Sequence, residues 1–313
     1  MEPEFRKPTL EESEFIKEVL KKNHYRGCEL SAPNLILWAD YYHMEYTIVD
    51  GVLISRNIDE QGRIRLSYPI GAVGEEEERR IFDLELRYFR EQGQSPMFGI
   101  IDPMMWKQIN RWYPGRFEIC YERDWADYVY NREKLTTLAG KKLHGKRNHI
   151  KRFQDNHPEW SYETITDANV EECLKTAKMW CKANCIAEDD EKEEEYHLVV
   201  RALRNREALG MRGGLLRIPE GVIAFTLGAP VTEDTFDVCF EKALGDIQGA
   251  YPMINQQFVL HELQSYTYIN REEDVGVEGL RKAKLSYYPE YLLEKGIVRE
   301  STSFTCLSSL SGI

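Results

Sequence analysis

The chain has 313 residues, with 41 Lys and Arg against 53 Asp and Glu, which gives a formal net charge of −12. Hydrophobic residues make up 42% of the sequence, which excludes a disordered protein, and the length predicts about two domains. No apolar run reaches the roughly 18 residues that a membrane helix needs. The amino-terminal segment lacks the apolar core of a secretory signal, so we expect a cytoplasmic protein without a membrane span.

The first half of the chain alternates helix and strand signals. Thr9 and Glu12 have the spacing of a capping box and open a helix. Asp50 and Gly51 form an Asp-Gly turn between two alternating segments, which predicts a β-hairpin. Four consecutive Glu then open a long helix that we expect to end at Gly93. The predicted order is helix, hairpin, strand, helix, strand, helix, strand.

A basic stretch, residues 141–153 (KKLHGKRNHIKRF), follows the first half and holds six Lys and Arg but no acid. We expect residues 132–156 to be mostly helical, with a break at Gly140 or Gly145. A block of one charge sign in an acidic protein indicates an anionic partner, a domain junction, or both.

The second half predicts the order β, α, α, β, β, β, α, β, α. The sequence therefore predicts an α+β protein with two GNAT-like acyltransferase domains in tandem, each a mixed central sheet flanked by helices. We place the domains at residues 1–132 and 133–300, the second with the active cleft, and a Ser/Thr-rich tail at 301–313. The acidic run 188–195 is expected to be an exposed face.

The seven cysteines are scattered among apolar neighbours. Cys181 and Cys185 lie four residues apart on one predicted helix face, but no convincing second ligand pair accompanies them. We therefore expect reduced thiols and no metal site.

Three stretches are more specific than any periodicity: residues 143–153 (LHGKRNHIKRF), 221–243 (GVIAFTLGAPVTEDTFDVCFEKA) and 268–295 (YINREEDVGVEGLRKAKLSYYPEYLLEK). Together they resemble the family built on the C-terminal domain of bacterial phosphatidylglycerol lysyltransferases. The resemblance is strongest over residues 134–295. It implies a tandem GNAT-like fold, related to the Fem-type aminoacyl transferases, and transfer of an aminoacyl group from aminoacyl-tRNA to an amine or hydroxyl.

The resemblance leaves the substrates open. An aminoacyl-tRNA donor and an unidentified acceptor, either a small molecule or a lipid head group, form our leading hypothesis, with no further cofactor. An acyl-CoA-dependent N-acyltransferase is the alternative, although residues 246–251 (DIQGAY) match the coenzyme A signature of acetyltransferases poorly. The third hypothesis is a non-catalytic module that binds RNA or a lipid head group. The oligomeric state is not predicted.

The candidate site residues cluster in the second half. We expect the donor to enter where strands 222–228 and 236–243 separate. Glu241, Arg271 and Glu272 are the catalytic candidates, because carboxylates can hold an amino group or accept a proton, although a plain salt bridge would also explain them. The donor-binding candidates are Lys284, Lys282, Gly249 and Asn255.

The basic stretch supplies the candidates for nucleic-acid contact. Lys146, Arg147 and Lys151 are predicted to bind the phosphates of a tRNA acceptor stem, which would make affinity fall steeply with salt. A helix packed at a domain junction, with its charge balanced by acidic neighbours, remains the other interpretation.

Overall fold

A computed structural model describes residues 4–184 and 190–301. The α-helices are α1 Ser13–Leu20, α2 Ala32–Leu37, α3 Glu75–Glu91, α4 Pro103–Trp112, α5 Arg132–Thr137, α6 His144–Asn156, α7 Val170–Asn184, α8 Asp190–Arg204, α9 Ala250–Glu262 and α10 Glu278–Leu285. The strands are β1 Met44–Val49, β2 Val52–Ile58, β3 Ile64–Leu66, β4 Met97–Ile101, β5 Phe117–Asn131, β6 Ser161–Thr164, β7 Arg212–Ile218, β8 Gly221–Pro230, β9 Thr235–Ala243, β10 Tyr268–Asn270 and β11 Tyr291–Glu300. Short 3-10 turns occupy Leu10–Glu12 and Cys28–Leu30.

The chain forms two compact units that are not contiguous in sequence. Unit 1 contains the described residues up to Asp127, Glu273–Glu278 and the segment from Leu292, and unit 2 contains Tyr128–Glu272 and Gly279–Tyr291. The sequence placed contiguous domains at 1–132 and 133–300. The units differ from that division because β11, near the end of the chain, pairs with β4. All of the tail except Ser301 lies outside the described residues.

Unit 1 contains a mixed sheet with the strand order β1-β2-β3-β4-β11-β5. β3 and β4 run parallel, with α3 between them in sequence, while β1–β2, β2–β3 and β4–β11 are antiparallel. Asp50 and Gly51 both have positive φ, 53° and 84°, which is the type I′ geometry that suits a two-residue hairpin. The predicted hairpin is therefore confirmed.

Helix α3 covers the core of unit 1. Its first turn carries the four Glu, where carboxylates stabilise the positive end of the helix dipole, and Gly93 lies just beyond its end with φ 66°. Phe82 and Phe89 of this helix are fully buried, and the Phe82 ring stacks on Phe98 of β4 at 4.3 Å. This burial of aromatic surface holds the helix against the sheet.

In unit 2 the same mixed sheet continues in the order β5-β10-β9-β8-β7-β6. The β9–β10 pair is parallel, and the other pairs are antiparallel. Helix α9 lies between β9 and β10 in sequence and packs against β7, β8 and β9. Strand β9 is buried on both faces, as expected of a strand covered by helices.

The strands that separate in unit 2 are not those expected. Residues 222–228 and 236–243 belong to β8 and β9, which stay paired from Ala224↔Ala243 to Pro230↔Phe236 with one irregularity. They form an antiparallel hairpin, and hydrogen bonds hold them together. β10 follows β9 only as far as Asn270↔Asp237, while β9 runs on to Ala243. The opening beside β9 therefore lies between β9 and β10.

The basic stretch forms two helices with a break between them. α5 ends at Thr137, α6 begins at His144, and Gly140 in the connection has φ 90°. Gly145 lies inside α6, so of the two glycines proposed as breaks, Gly140 is correct.

The acidic run is only partly described, because residues 185–189 lie outside the described ranges. Glu193 and Glu194 are exposed on α8, as expected. Glu195 is half-buried, not exposed, and it forms an ion pair with Lys242. Lys242 is itself buried, and its Nζ lies 4.0 Å from the centroid of the Trp180 ring. The expectation that the whole run is a solvated face is wrong for Glu195.

Candidate functional site

Glu241 lies at the centre of a polar cluster in unit 2. Its Oε1 accepts a hydrogen bond from Arg271 Nη2 at 2.8 Å, and its Oε2 accepts one from Asn255 Nδ2 at 3.0 Å. Strand β9 supplies the glutamate, α9 the asparagine, and the segment after β10 the arginine. The cluster forms where β10 ends and β9 continues, so the separation of the two strands makes room for it.

Arg271 is held between two aromatic rings. Its Cζ lies 5.7 Å from the centroid of Tyr130 and 4.9 Å from that of Tyr287, both within cation–π range. Burial lowers the pKa of Arg271, but Glu241 and the two tyrosines outweigh that effect and raise it, so the guanidinium is charged. Its Nη1 is buried and has no hydrogen-bond partner among the described residues.

Lys284 fixes the backbone of this cluster. Its Nζ donates to the carbonyl oxygen of Arg271 at 2.6 Å, and its own carbonyl accepts the Tyr130 hydroxyl proton at 2.7 Å. Only 9% of the residue is exposed. Helix α10 is thereby tied to the segment that carries Arg271.

Lys146 of α6 reaches the same cluster from the basic stretch. Its Nζ lies 3.9 Å from the centroid of the Tyr287 ring. Burial lowers the pKa of Lys146 to about 8, and the positive charge of Arg271 adds to this effect, while Glu241 opposes it. A fraction of this amine is therefore neutral near physiological pH and can accept a proton.

The structure gives the other phosphate-binding candidates local partners. Arg147 donates through Nη1 to the carbonyl oxygens of Leu138 and Gly140, at 2.8 Å for Gly140, and so caps the loop between α5 and α6. Lys151 forms an exposed i,i+4 ion pair with Asp155 at 3.1 Å. The three residues predicted to share phosphate contact therefore have three different environments.

The remaining candidates lie outside the hydrogen-bonded cluster. Lys282 is exposed on α10. Gly249 precedes α9 with φ 87°, and a Cβ there would lie 2.5 Å from the His149 carbonyl oxygen, so close packing with α6 explains this glycine. The Glu272 backbone also has positive φ, 58°, and its N–H donates to Asn270 Oδ1 at 2.7 Å.

Glu272 belongs to a second group of possible ligands. Its carboxylate lies with Asp237 and Cys239 so that one ligand atom of each falls within 4.8 Å of the others. Burial and the neighbouring carboxylates raise the pKa of the Cys239 thiol well above its usual value. A metal needs the thiolate, so this environment disfavours the ligand form of the cysteine.

Both carboxylate oxygens of Glu241 accept hydrogen bonds within the protein, one from Arg271 and one from Asn255. Arg271 Nη1, a donor, and Asn255 Oδ1, an acceptor, are both buried and have no hydrogen-bond partner among the described residues. Tyr130, which sequence reasoning missed, helps to hold Arg271. Its alternation with Tyr128 along β5 was the available signal, because both residues must face the same side of the strand.

Comparison with known proteins identifies the family. The model of the phosphatidylglycerol lysyltransferase C-terminal family matches residues 21–298. A crystal structure of a conserved protein of unknown function from Bacteroides thetaiotaomicron is 35% identical, with a TM-score of 0.87 over 95% of this chain and 99% of that one. An uncharacterised protein of Mycoplasmoides gallisepticum is 24% identical over 198 residues, which span 60% of this chain and 61% of that protein.

Two more distant structures share the fold. The C-terminal domain of a putative lysylphosphatidylglycerol synthetase from Agrobacterium fabrum is 14% identical, with a TM-score of 0.66 over 92% of this chain and 91% of that one. L-PGS from Bacillus licheniformis is also 14% identical, with a TM-score of 0.65 over 94% and 93%. The predicted fold class, an α+β protein of the tandem GNAT-like type, is confirmed, and its described strands form one large mixed sheet flanked by helices.

Within the described ranges, no helix combines the length and the apolar composition needed to cross a bilayer. The family match covers both units, including most of the first half, where the sequence resemblance was weak. The chain belongs to the phosphatidylglycerol lysyltransferase C-terminal family.

Proposed function

We propose that the cluster around Arg271 in unit 2 transfers an aminoacyl group from aminoacyl-tRNA to an acceptor amine or hydroxyl. The observation that supports this most strongly is the convergence of Glu241, Arg271, Asn255, Lys284 and Lys146, from five separate segments, on one partly buried site. Arg271 Nη1 and Asn255 Oδ1, both buried and without partners among the described residues, are a donor and an acceptor that a bound substrate would satisfy.

Each residue then has a chemical role. The acceptor attacks the ester carbonyl carbon of the donor, the carbon–oxygen bond to the terminal ribose breaks, and the ribose hydroxyl leaves. Arg271 Nη1 donates to the oxygen on which negative charge develops, a contribution that typically amounts to about 10²–10³ in rate. Lys146, neutral in part, takes the proton of the acceptor and gives it to the departing ribose oxygen, which leaves as a hydroxyl. Glu241 and Lys284 hold Arg271 in place.

The donor class rests on charge and on sequence. Exposed cations of α6 and the preceding loop lie on the segment that delivers Lys146 to the cluster, which would suit the phosphates of a tRNA acceptor stem. Residues 246–251 depart from the coenzyme A signature, so acyl-CoA is the less favoured donor. The acceptor, a small molecule or a lipid head group, is left open.

The test is a transfer assay with a pool of labelled aminoacyl-tRNAs, run beside acyl-CoA thioesters. We expect the wild type to release label from tRNA in the presence of a phospholipid head-group or amino acid acceptor. Arg271→Lys and Lys146→Met should reduce turnover by about 10²-fold or more. The matched controls are Lys282→Ala and Lys178→Ala, which remove exposed lysines outside both the cluster and the basic stretch and should leave turnover nearly unchanged. If only acyl-CoA supports turnover, the donor is acyl-CoA and not aminoacyl-tRNA. Equal losses in all four variants would refute the assignment of the site.

A further inference from the structure

A second cluster of reactive side chains lies in unit 1. Cys28, in the turn Cys28–Leu30, places its Sγ 3.4 Å from Nζ of Lys295 on β11. The two residues are 267 positions apart in sequence, yet only 5% of Cys28 and 3% of Lys295 are exposed. The fold thus holds a thiol against a primary amine in a nearly closed site.

Carboxylates fix the orientation of this amine. Lys295 Nζ donates to Asp127 Oδ1 at 2.6 Å, and its ion pair with Glu29 Oε2 measures 2.7 Å. Glu273 Oε2 lies farther away, at 4.0 Å. An ammonium group has three N–H donors, so with two directed at carboxylates the third faces the sulfur. Asp127 and Glu29 together therefore keep Lys295 Nζ in contact with Cys28 Sγ.

The same carboxylates provide a route for a proton and for a small oxidant. Burial raises the pKa of Glu29 to about 7, although Lys295 acts to lower it, so this carboxylate can accept a proton at neutral pH. Although burial acts to lower it, the neighbouring carboxylates raise the pKa of Lys295, and burial raises that of the Cys28 thiol, so the reaction draws on the small fractions of neutral amine and thiolate and is slow. The side chains of Glu29 and Glu273 are 29% and 27% exposed, so the cluster touches solvent along this side. This is the side from which peroxide would have to reach the 5% of Cys28 that is exposed.

The cluster does not suit a metal ion. Cys28, Glu29 and Asp127 are close enough together to ligate a cation. The ammonium group of Lys295 already contacts both carboxylates and the sulfur, so the place of a cation is taken by a cation of the protein itself.

We propose that oxidation joins Cys28 and Lys295 covalently through one oxygen atom, as an N–O–S bridge. Hydrogen peroxide first converts the thiol to a sulfenic acid and releases water. Lys295 gives one proton to Glu29, and a second peroxide oxidises the amine and the sulfenic acid to the bridge, releasing two further waters. Sulfur and nitrogen together lose four electrons, and the two peroxides gain four. The bridge ties the turn Cys28–Leu30 to β11, and thiol reductants reopen it.

The test is mass spectrometry of the full chain after treatment with hydrogen peroxide, followed by tryptic digestion without reductant. We expect a linked pair of peptides that contain Cys28 and Lys295, about 14 Da heavier than their sum because one oxygen is gained and two hydrogens are lost. Trypsin should fail to cleave after Lys295, and dithiothreitol should restore both peptides. Oxidation of half-buried Cys120 reports that peroxide has reached the protein.

Two variants serve as controls. Cys28→Ser removes the sulfur with little change in size, and Lys295→Arg keeps the charge but lacks a primary amine, so each should abolish the linked peptide. A wild type that gives only sulfinic or sulfonic Cys28 would overturn the proposal. So would a linked pair about 2 Da lighter than the sum, because that mass indicates a direct sulfur–nitrogen bond.

Discussion

Glu241 and Arg271 form an ion pair in which each side chain is almost removed from solvent, with 12% and 11% exposed. Their 2.8 Å contact joins strand β9 to the segment after β10, at the place where the two strands separate. A pair in this environment contributes little net stability, but the loss of one partner leaves a buried charge without compensation.

We therefore expect Glu241→Gln to lower the free energy of unfolding by about 3–5 kcal/mol. The double variant Glu241→Gln with Arg271→Met should cost less than the single variant, because no unpaired charge remains. Urea denaturation of both variants measures this difference. A double variant less stable than Glu241→Gln would show that the pair is not the source of the loss.

Lys146 should react as an unusually nucleophilic lysine. Since burial and Arg271 lower its pKa to about 8, a far larger fraction of it is neutral at pH 8 than of an ordinary lysine. Labelling with a limiting amount of an amine reagent, read by mass spectrometry, should modify Lys146 ahead of exposed Lys151, with a midpoint near pH 8. Removing the positive charge with Arg271→Met should shift this midpoint upward, and equal labelling of both lysines would contradict the lowered pKa.

Glu85 of α3 should make unit 1 less stable as the pH rises. It is 2% exposed, neither carboxyl oxygen has a partner among the described residues, and burial raises its pKa well above the usual value. The folded state therefore binds the proton more tightly than the unfolded state. Below the pKa of the unfolded state, near 4.5, the carboxyl group is neutral in both states and burial of a charge costs nothing. Above that pH the unfolded state loses the proton first, so the free energy of unfolding falls by up to about 1.4 kcal/mol per pH unit until the pKa of the folded state is passed.

Glu85→Gln removes this titration. We expect the variant to gain stability relative to the wild type between pH 5 and pH 8, measured by chemical denaturation. Glu91→Gln, at the exposed end of the same helix, is the control and should show no such trend. A constant difference between wild type and Glu85→Gln across this range would mean that the carboxyl group is not buried as described.

Gly249→Ala should destabilise unit 2. Its φ of 87° costs an L-residue about 1–2 kcal/mol, and the new Cβ would lie 2.5 Å from the His149 carbonyl oxygen, which adds a steric term. Gly245→Ala is the matched control, because nothing lies within 4 Å of a Cβ at that position. Equal melting temperatures for the two variants would argue against the close contact between α6 and α9.

Local signals in the sequence predicted local structure well. The Asp50-Gly51 turn and the glutamates of α3 act over a few residues, so their physical effect can be read directly from the sequence. Glu241, Arg271 and Lys284 were chosen as site candidates with the help of the family resemblance, and local signals alone would not have brought them together.

The partners of these residues could not be predicted, because they depend on contacts distant in sequence. Lys146 meets Tyr287, 141 positions later, and Cys28 meets Lys295 across most of the chain. No pattern of charge or hydropathy encodes such pairs. The separation of β9 from β10 was missed for the same reason, since strand order is set by the sheet as a whole.

The loop cap formed by Arg147 changes how the basic stretch responds to ionic strength. Arg147 is bound to carbonyl oxygens, Lys151 is paired with Asp155, and Lys146 lies against Tyr287. The exposed cations that remain are Lys141, Arg152 and Lys142, the last with its Nζ 5.1 Å from the centroid of the exposed Tyr288 ring. Each phosphate contact releases about 0.9 counterion, so three contacts give a slope of roughly 3 in log affinity against log salt, where six would give roughly 5. A polyanion bound along this stretch would therefore lose affinity more gradually with added salt than the six cations in the sequence indicate.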